Sequence, residues 1–269
     1  MLLFAPAKVN LGLHVLYKRE DGYHELETGM IPIPWYDVIE ILHSNEFKFE
    51  QLGLTIPGDN ASNLCVRAHQ LMRDRFGIGP VQIILKKNIP MGAGLGGGSS
   101  DAAYVIKGLS DFFELKLETN ELELLASQLG SDCPFFIKNQ AQIARGRGEI
   151  LFPIDLDLTT YYIKLINPGI HISTPMAYSG VQFNSSKDSL IDLLKLPVTA
   201  WRDVLKNDFE KHIFEQFPEL WSIKQDLYTE GAVYAAMSGS GSTIFGLFKE
   251  KPLVPIPSKY VGYIGKLMV

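Results

Sequence analysis

Cysteine is nearly missing from this chain: Cys65 and Cys133 are the only two in 269 residues. Two are too few for a disulfide framework and their separation fits no metal-ligand spacing, so no metal site is expected and a reducing, cytoplasmic setting is. Basic runs are missing too. The 25 Lys+Arg are scattered and the formal charge is −5, which argues against nucleic acid as the main partner, because backbone phosphates demand a concentrated basic face. Nor is there a continuous apolar span. Residues 231–248 are uncharged over a transmembrane length, but Gly231, Gly239, Gly241 and Gly246 and several serines divide them into strand, turn and strand, so no membrane partner is expected. The opening MLLFAPAKVN has no basic start, and Lys8 interrupts it before a signal-peptide core forms. What is present is 46% hydrophobic residues in a length that suits one large or two modest domains.

The stretch 86–103, KKNIPMGAGLGGGSSDAA, concentrates the chemistry. Before it, Val81, Ile83 and Leu85 alternate with Gln82, Ile84 and Lys86, which predicts a strand with one strongly apolar face. After it, Ala102, Val105, Ile106, Leu109, Phe112 and Phe113 recur at steps of three and four, which predicts an amphipathic helix with Ser99 or Ser100 as its cap. Glycines let the intervening backbone take positive φ and approach a ligand, so N–H groups ahead of a helix N-terminus can converge on phosphate oxygens. Two other glycine loops do not fit. No lysine follows the glycines, as Walker A requires. Gly92, Gly94 and Gly97 match G-x-G-x-x-G, but the acids near the expected distance, Glu114 and Glu118, flank a helix end and not a second strand.

The string PMGAGLGGGSSDAA at 90–103 resembles the ATP loop of the GHMP kinases. Four further strings resemble the same family: PAKVNL at 6–11 paired with DGYHE at 21–25, GSDCPFF at 130–136, and SGSGS at 238–242. The resemblance runs from Pro6 to about Phe248. It implies an α+β, two-domain GHMP kinase fold, with an N-terminal ATP-binding domain like ribosomal protein S5 domain 2 over 1–155 and a C-terminal ferredoxin-like α/β plait over 156–269. The family usually adds a helix in its last segment. Residues 251–269 carry Pro252, Pro255 and Pro257 and show no helical period.

Along the chain, Lys8, Asn10 and His14 share one face of a first strand, whose plain reading is a polar outer face. Gly22 suits the turn of a hairpin at 19–22, from which Tyr23 and His24 emerge. Strands are predicted over 37–42, 47–51 and 161–166, and helices over 63–76 (capped by Ser62 or Asn63 and closed by Gly77), over 120–129 (capped by Thr119) and after Pro218. Asp132 precedes a proline-containing helical start, where an N-cap role competes with any catalytic one.

For the site, the resemblance implies that Pro90, Met91, Gly92, Ala93, Gly94, Leu95, Gly96, Gly97, Gly98, Ser99 and Ser100 bind ATP, with Asn63 beside the adenine. It implies Asp132 as the base for a substrate hydroxyl and Lys8 as its charge partner. The DGYHE pairing resembles the branch of the family acting on a cytidine-diphosphate-linked methylerythritol, which puts Asn10, Tyr23, His24, Thr174 and Tyr178 at the substrate, the two tyrosines sandwiching the cytosine. ATP and Mg²⁺ are the expected cofactors, small molecules the partners, and a monomer or weak homodimer the form. A sibling kinase for another alcohol, a GHMP-fold decarboxylase and a non-catalytic nucleotide-binding regulator remain open.

Overall fold

The computed structural model describes residues 1–56, 58–181 and 188–269. In chain order these form β1 (Leu2–Lys18), β2 (His24–His43), β3 (Lys48–Gly53), α1 (Leu64–Phe76), β4 (Val81–Lys87), α2 (Gly97–Phe112), α3 (Thr119–Ser127), α4 (Phe135–Lys138), β5 (Gln142–Gly146) and β6 (Ile150–Pro153). There follow β7 (Tyr162–Asn167), α5 (Thr174–Ser179), α6 (Leu190–Leu194), α7 (Val198–Val204), α8 (Glu210–Gln216), α9 (Pro218–Thr229), β8 (Tyr234–Met237), β9 (Ile244–Phe248) and β10 (Val261–Lys266).

Two compact units divide the chain. One comprises residues 1–7, 35–91 and 96–139; the other comprises 8–34, 92–95 and 140–269. Both units are therefore discontinuous in sequence. The reason is β2, one strand of 20 residues where only 37–42 was predicted. Its later part pairs with β4 and its earlier part with β5, so a single strand serves both units. The glycine loop is shared in the same way.

In the first unit β3 runs parallel to β4, and β4 antiparallel to β2, with Ile83 opposite both Phe49 and Ile41. Helix α2 lies close on its surroundings: a methyl on Gly108 would stand 2.4 Å from a Leu3 methyl and 2.8 Å from one of Ile41. The helix buries Ala102, Val105, Ile106 and Leu109 of the face its period predicts, together with Ala103; Phe112 and Phe113 are only half-buried, Phe113 lying past its end as the C-cap. Helix α1 begins and ends as expected, with the Asn63 side chain accepting from the Cys65 N–H at 2.9 Å and Gly77 left-handed at φ 66°. Helix α3 differs by one residue. Glu118, not Thr119, is its cap, because Glu118 and Glu121 form a reciprocal capping box.

The second unit holds the hairpin of β5 and β6 and an antiparallel sheet ordered β10-β7-β9-β8. In chain order that is the 4-1-3-2 arrangement of a ferredoxin-like plait, with α5 to α9 between its first two strands. Ile223 and Leu227 of α9 pack with Ile166, Ala235, Met237, Ile244 and Phe248 of the sheet, and Leu13 and Val15 of β1 join this core. The last connection departs from the plait. Between β9 and β10 the proline segment forms no helix, as its lack of period predicts, and the chain returns directly as edge strand β10 on β7. Fully buried Lys164 of β7 holds that segment, donating to Glu230 at 2.6 Å and to the Val254 carbonyl at 3.1 Å.

Candidate active site

Strand β1 is buried on both faces from Ala5 to Val15, so Lys8, Asn10 and His14 do not form an outer polar face. The correction is physical: an ammonium taken out of water needs partners, and Lys8 donates from Nζ to Asn10 Oδ1 at 2.5 Å. Asn10 spends its amide on Thr28 Oγ1 at 3.0 Å, and Thr28 donates in turn to the Gly12 carbonyl at 2.5 Å. The Asn10 N–H donates to Ser238 Oγ at 3.2 Å, and Ser238 donates to the Gly94 carbonyl at 2.7 Å. One buried chain of bonds thus joins the first strand to both glycine loops.

Residues 92–95, the front of the first loop, are gripped by this unit. The Lys8 N–H donates to the Leu95 carbonyl at 2.9 Å and the Thr243 N–H to the Ala93 carbonyl at 3.3 Å. Gly92 and Gly94 take φ of 60° and 76°, and Gly94 passes so near Ser238 that a β-carbon would overlap its carbonyl oxygen. Asn207 secures the second loop, donating to the carbonyls of Met237 and Gly239 at 2.8 Å each. Ser238, Thr28 and Asn207 had no role assigned from sequence. Ser238 had a signal in SGSGS; Thr28 had none, because it meets Asn10 only through tertiary packing.

In the other unit the loop enters α2. The cap is Gly96, left-handed at φ 66°, with no side-chain cap bond, so neither Ser99 nor Ser100 caps as expected. Both lie inside the first turn. The Ser100 N–H is spent on the Gly96 carbonyl at 2.9 Å and its side chain is fully buried, whereas Ser99 is half-buried beside Cys133. The N–H groups of Gly97, Gly98 and Ser99 precede any helical acceptor, and the first turn carries no acid to compete for them. Asn63, Met91 and Gly98 line a cavity of about 130 Å³ with Asp59, Leu64 and Asp101. Pro90 leads into Met91 at its rim.

Behind this turn lies a buried ion triad that sequence reasoning missed. Lys87 is paired with Asp37 and, at 2.7 Å, with Asp101, while the other oxygen of Asp37 accepts from the N–H groups of Asn88 and Ile89 at 2.6 and 2.9 Å. The signal was present in the pattern: Lys87 continues the apolar face of Val81, Ile83 and Leu85. Burial opposes charge on Lys87, but Asp101 and Asp37 outweigh it and hold its pKa above the usual value. Two carboxylates share one ammonium, so burial, with Asp37's charge adding to it against the pull of Lys87, raises Asp101 to about 7.

Asp132 sits half-buried in the turn before α4. It is not the cap of that helix: Pro134 occupies the cap position and no side chain caps there. The competing explanation for the residue is therefore absent. Cys133 next to it is buried, and that burial lifts its thiol to about 11, leaving it an unreactive apolar filler.

The hairpin at 19–22 forms as expected, with Gly22 at φ 84°. Asp21 accepts from the Tyr23 N–H at 3.0 Å, leaving Tyr23 55% exposed. His24 stacks on Tyr178, ring centres 4.3 Å apart and 15° from parallel, and the Tyr178 ring meets Phe209 edge-on at 4.9 Å. Burial and the nearby Lys18 lower the His24 pKa, so its imidazole is neutral near pH 7, both donor and acceptor. Thr174 is exposed at the first position of α5, whose cap is Ser173.

The model for the GHMP kinases N terminal domain matches residues 63–140 and that for GHMP kinases C terminal matches 191–255. A 4-diphosphocytidyl-2-C-methyl-D-erythritol kinase of Cytophaga hutchinsonii is 48% identical over 253 residues, 94% of each chain, and one of Azobacteroides pseudotrichonymphae is 48% identical over 95% of this chain and 96% of its own. A crystal structure of 4-(cytidine 5'-diphospho)-2C-methyl-D-erythritol kinase superposes with TM-score 0.79 at 37% identity, covering 92% of this chain and 90% of the other. The Methanococcus jannaschii mevalonate kinase, at 18% identity and TM-score 0.68 over 92% and 90%, shares the fold. The chain, with its clasped glycine loop ahead of α2, belongs to the GHMP kinases, in the family of the 4-diphosphocytidyl-2-C-methyl-D-erythritol kinases.

Proposed function

We propose that the protein transfers the γ-phosphoryl group of ATP to the 2-hydroxyl of 4-diphosphocytidyl-2-C-methyl-D-erythritol, giving the 2-phosphate and ADP for non-mevalonate isoprenoid synthesis. The observation that carries this reading is the match to relatives of that name along nearly the whole chain. The loop supports it chemically. Phosphoryl transfer is mostly positioning and charge stabilisation, and the free N–H groups of Gly97, Gly98 and Ser99 at a helix N-terminus supply both. The cavity beside Asn63 and Met91 is the place for the adenine.

Asp132 takes the proton of the attacking hydroxyl, and Lys8 draws developing negative charge. Asn10 acts by holding the Lys8 ammonium. The cytosine goes to the Tyr23, His24, Thr174 and Tyr178 set. His24 covers one face of Tyr178, so a base stacking there displaces it and meets its neutral edge. Among the described residues no cluster of three or more His, Cys, Asp or Glu can hold a metal. Residues here suit a Mg²⁺ that arrives on the triphosphate, where the half-buried Ser99 hydroxyl, which also meets the Cys133 thiol, would supply a protein oxygen. When bound, such an ion would supply positive charge against the phosphate oxygens. Among the described residues no helix is long and apolar enough to cross a membrane. Both cysteines are free and buried, which supports a reducing, cytoplasmic setting.

The test is incubation with ATP, Mg²⁺ and a panel of alcohols, followed by mass spectrometry. A gain of one phosphate on the cytidine-linked alcohol alone is expected. Phosphate on a different alcohol would mean a sibling kinase, CO₂ release a decarboxylase, and ATP binding without ADP a regulator.

A further inference from the structure

We propose that Arg147, at the tip of the β5–β6 hairpin, binds the diphosphate of the cytidine-linked substrate. The proposal rests on the substrate reading above and adds a residue that reading does not use. Two hairpin tips meet at this point. Glu25, just past the first turn, accepts from the Gly146 N–H at 3.0 Å and from Arg19 at 2.8 Å, locking the turn at 19–22 to the turn at 146–149. Gly146 at φ 72° and Gly148 at φ 111° allow the second turn to be tight, and the Glu149 carboxylate closes it by accepting from the Arg147 N–H at 2.6 Å. The result is fixed: the Arg147 guanidinium lies over the Tyr23 ring, 4.7 Å from its centre.

Three arginines crowd these tips, and two are committed. Arg145 gives both Nε and a terminal nitrogen to Glu27 at 2.9 and 2.7 Å, and Arg19 is paired with Asp21 and Glu25. Arg147 differs. Its one carboxylate neighbour, Glu149, is 3.5 Å from Nε, so among the described residues its terminal donors have no partner, and its side chain is 41% exposed. A planar cation held by stacking, with its fork open beside an exposed aromatic, suits two adjoining phosphates next to a nucleobase. Exposed Lys18, close enough to depress the His24 pKa, adds positive charge near His24.

The experiment is an NMR titration of the intact protein with cytidine, CMP and CDP, comparing wild type with Arg147→Ala and Arg147→Lys. Wild-type affinity is expected to climb from cytidine to CDP. Arg147→Ala should lose about tenfold to a hundredfold for CDP, the usual worth of a hydrogen bond to a charged group, and bind cytidine within about twofold of wild type. Arg147→Lys should restore part of the loss. Arg147→Ala that keeps the whole climb, or loses cytidine as severely as CDP, would overturn the proposal, the second outcome making Arg147 a prop for Tyr23. A wild type that binds none of the three would overturn the cytidine reading itself, which is a different failure.

Discussion

Gly94→Ala isolates the contact between the two glycine loops. Gly94 is left-handed at φ 76°, and a methyl there would stand 1.9 Å from the Ser238 carbonyl oxygen and 2.9 Å from its carbon. Backbone cannot rotate aside as a side chain can. Gly22 provides the control, being left-handed at φ 84° with nothing within 4 Å of an added methyl. Forcing an L-residue into that region costs about 1–2 kcal/mol, and this is the whole expectation for Gly22→Ala. Gly94→Ala carries that same cost, an overpacking penalty of about 1–3 kcal/mol, and the Ser238 hydroxyl bond to the Gly94 carbonyl, about 1 kcal/mol if it breaks. Urea unfolding should therefore find Gly94→Ala less stable than Gly22→Ala by roughly 1–4 kcal/mol. Calorimetry should show ATP affinity reduced in Gly94→Ala and unchanged in Gly22→Ala. Equal destabilisation of the two variants would refute the claim that close approach, and not φ alone, requires glycine at 94.

Asp132→Asn should lower kcat by about two to four powers of ten with ATP affinity nearly unchanged, since an amide accepts no proton and the residue caps no helix; turnover above about a tenth of wild type would remove it as the base. Lys8→Ala should be comparably severe, and the double variant much less than additive if the two act as a unit. Tyr178→Ala should raise the alcohol KM about tenfold or more while sparing that of ATP, stacking being worth roughly 1–3 kcal/mol per base, and equal losses for both substrates would make the ring structural. Because burial holds Asp101 at about 7, above its unfolded value, the folded state binds the extra proton; stability from this group is full below the unfolded pKa and falls as pH rises through about 7. Asp101→Asn should flatten that part of a stability profile measured between pH 4 and 8, and an unaltered slope would place the titration elsewhere.

What the sequence by itself determined is local or motif-borne. The period of three and four in α2, the alternation in β4, the caps Asn63 and Gly77 and the turn at Gly22 depend on neighbours a few residues away, and each stands in the structure where the pattern puts it. The loop motif carried the family because Gly92, Gly94 and Gly96 answer to a left-handed backbone that L side chains rarely adopt. Tertiary structure decided the rest. Whether the polar face of β1 meets water or protein cannot be read from its alternation, since burial depends on Thr28 and Ser238; the latter lies 228 residues from Asn10. The capping of α2 passed from serine to Gly96 because the loop enters the helix left-handed. The units are discontinuous because β2 hydrogen-bonds to different strands at its two ends, and strand pairing is chosen by long-range contacts that leave no trace in the local pattern.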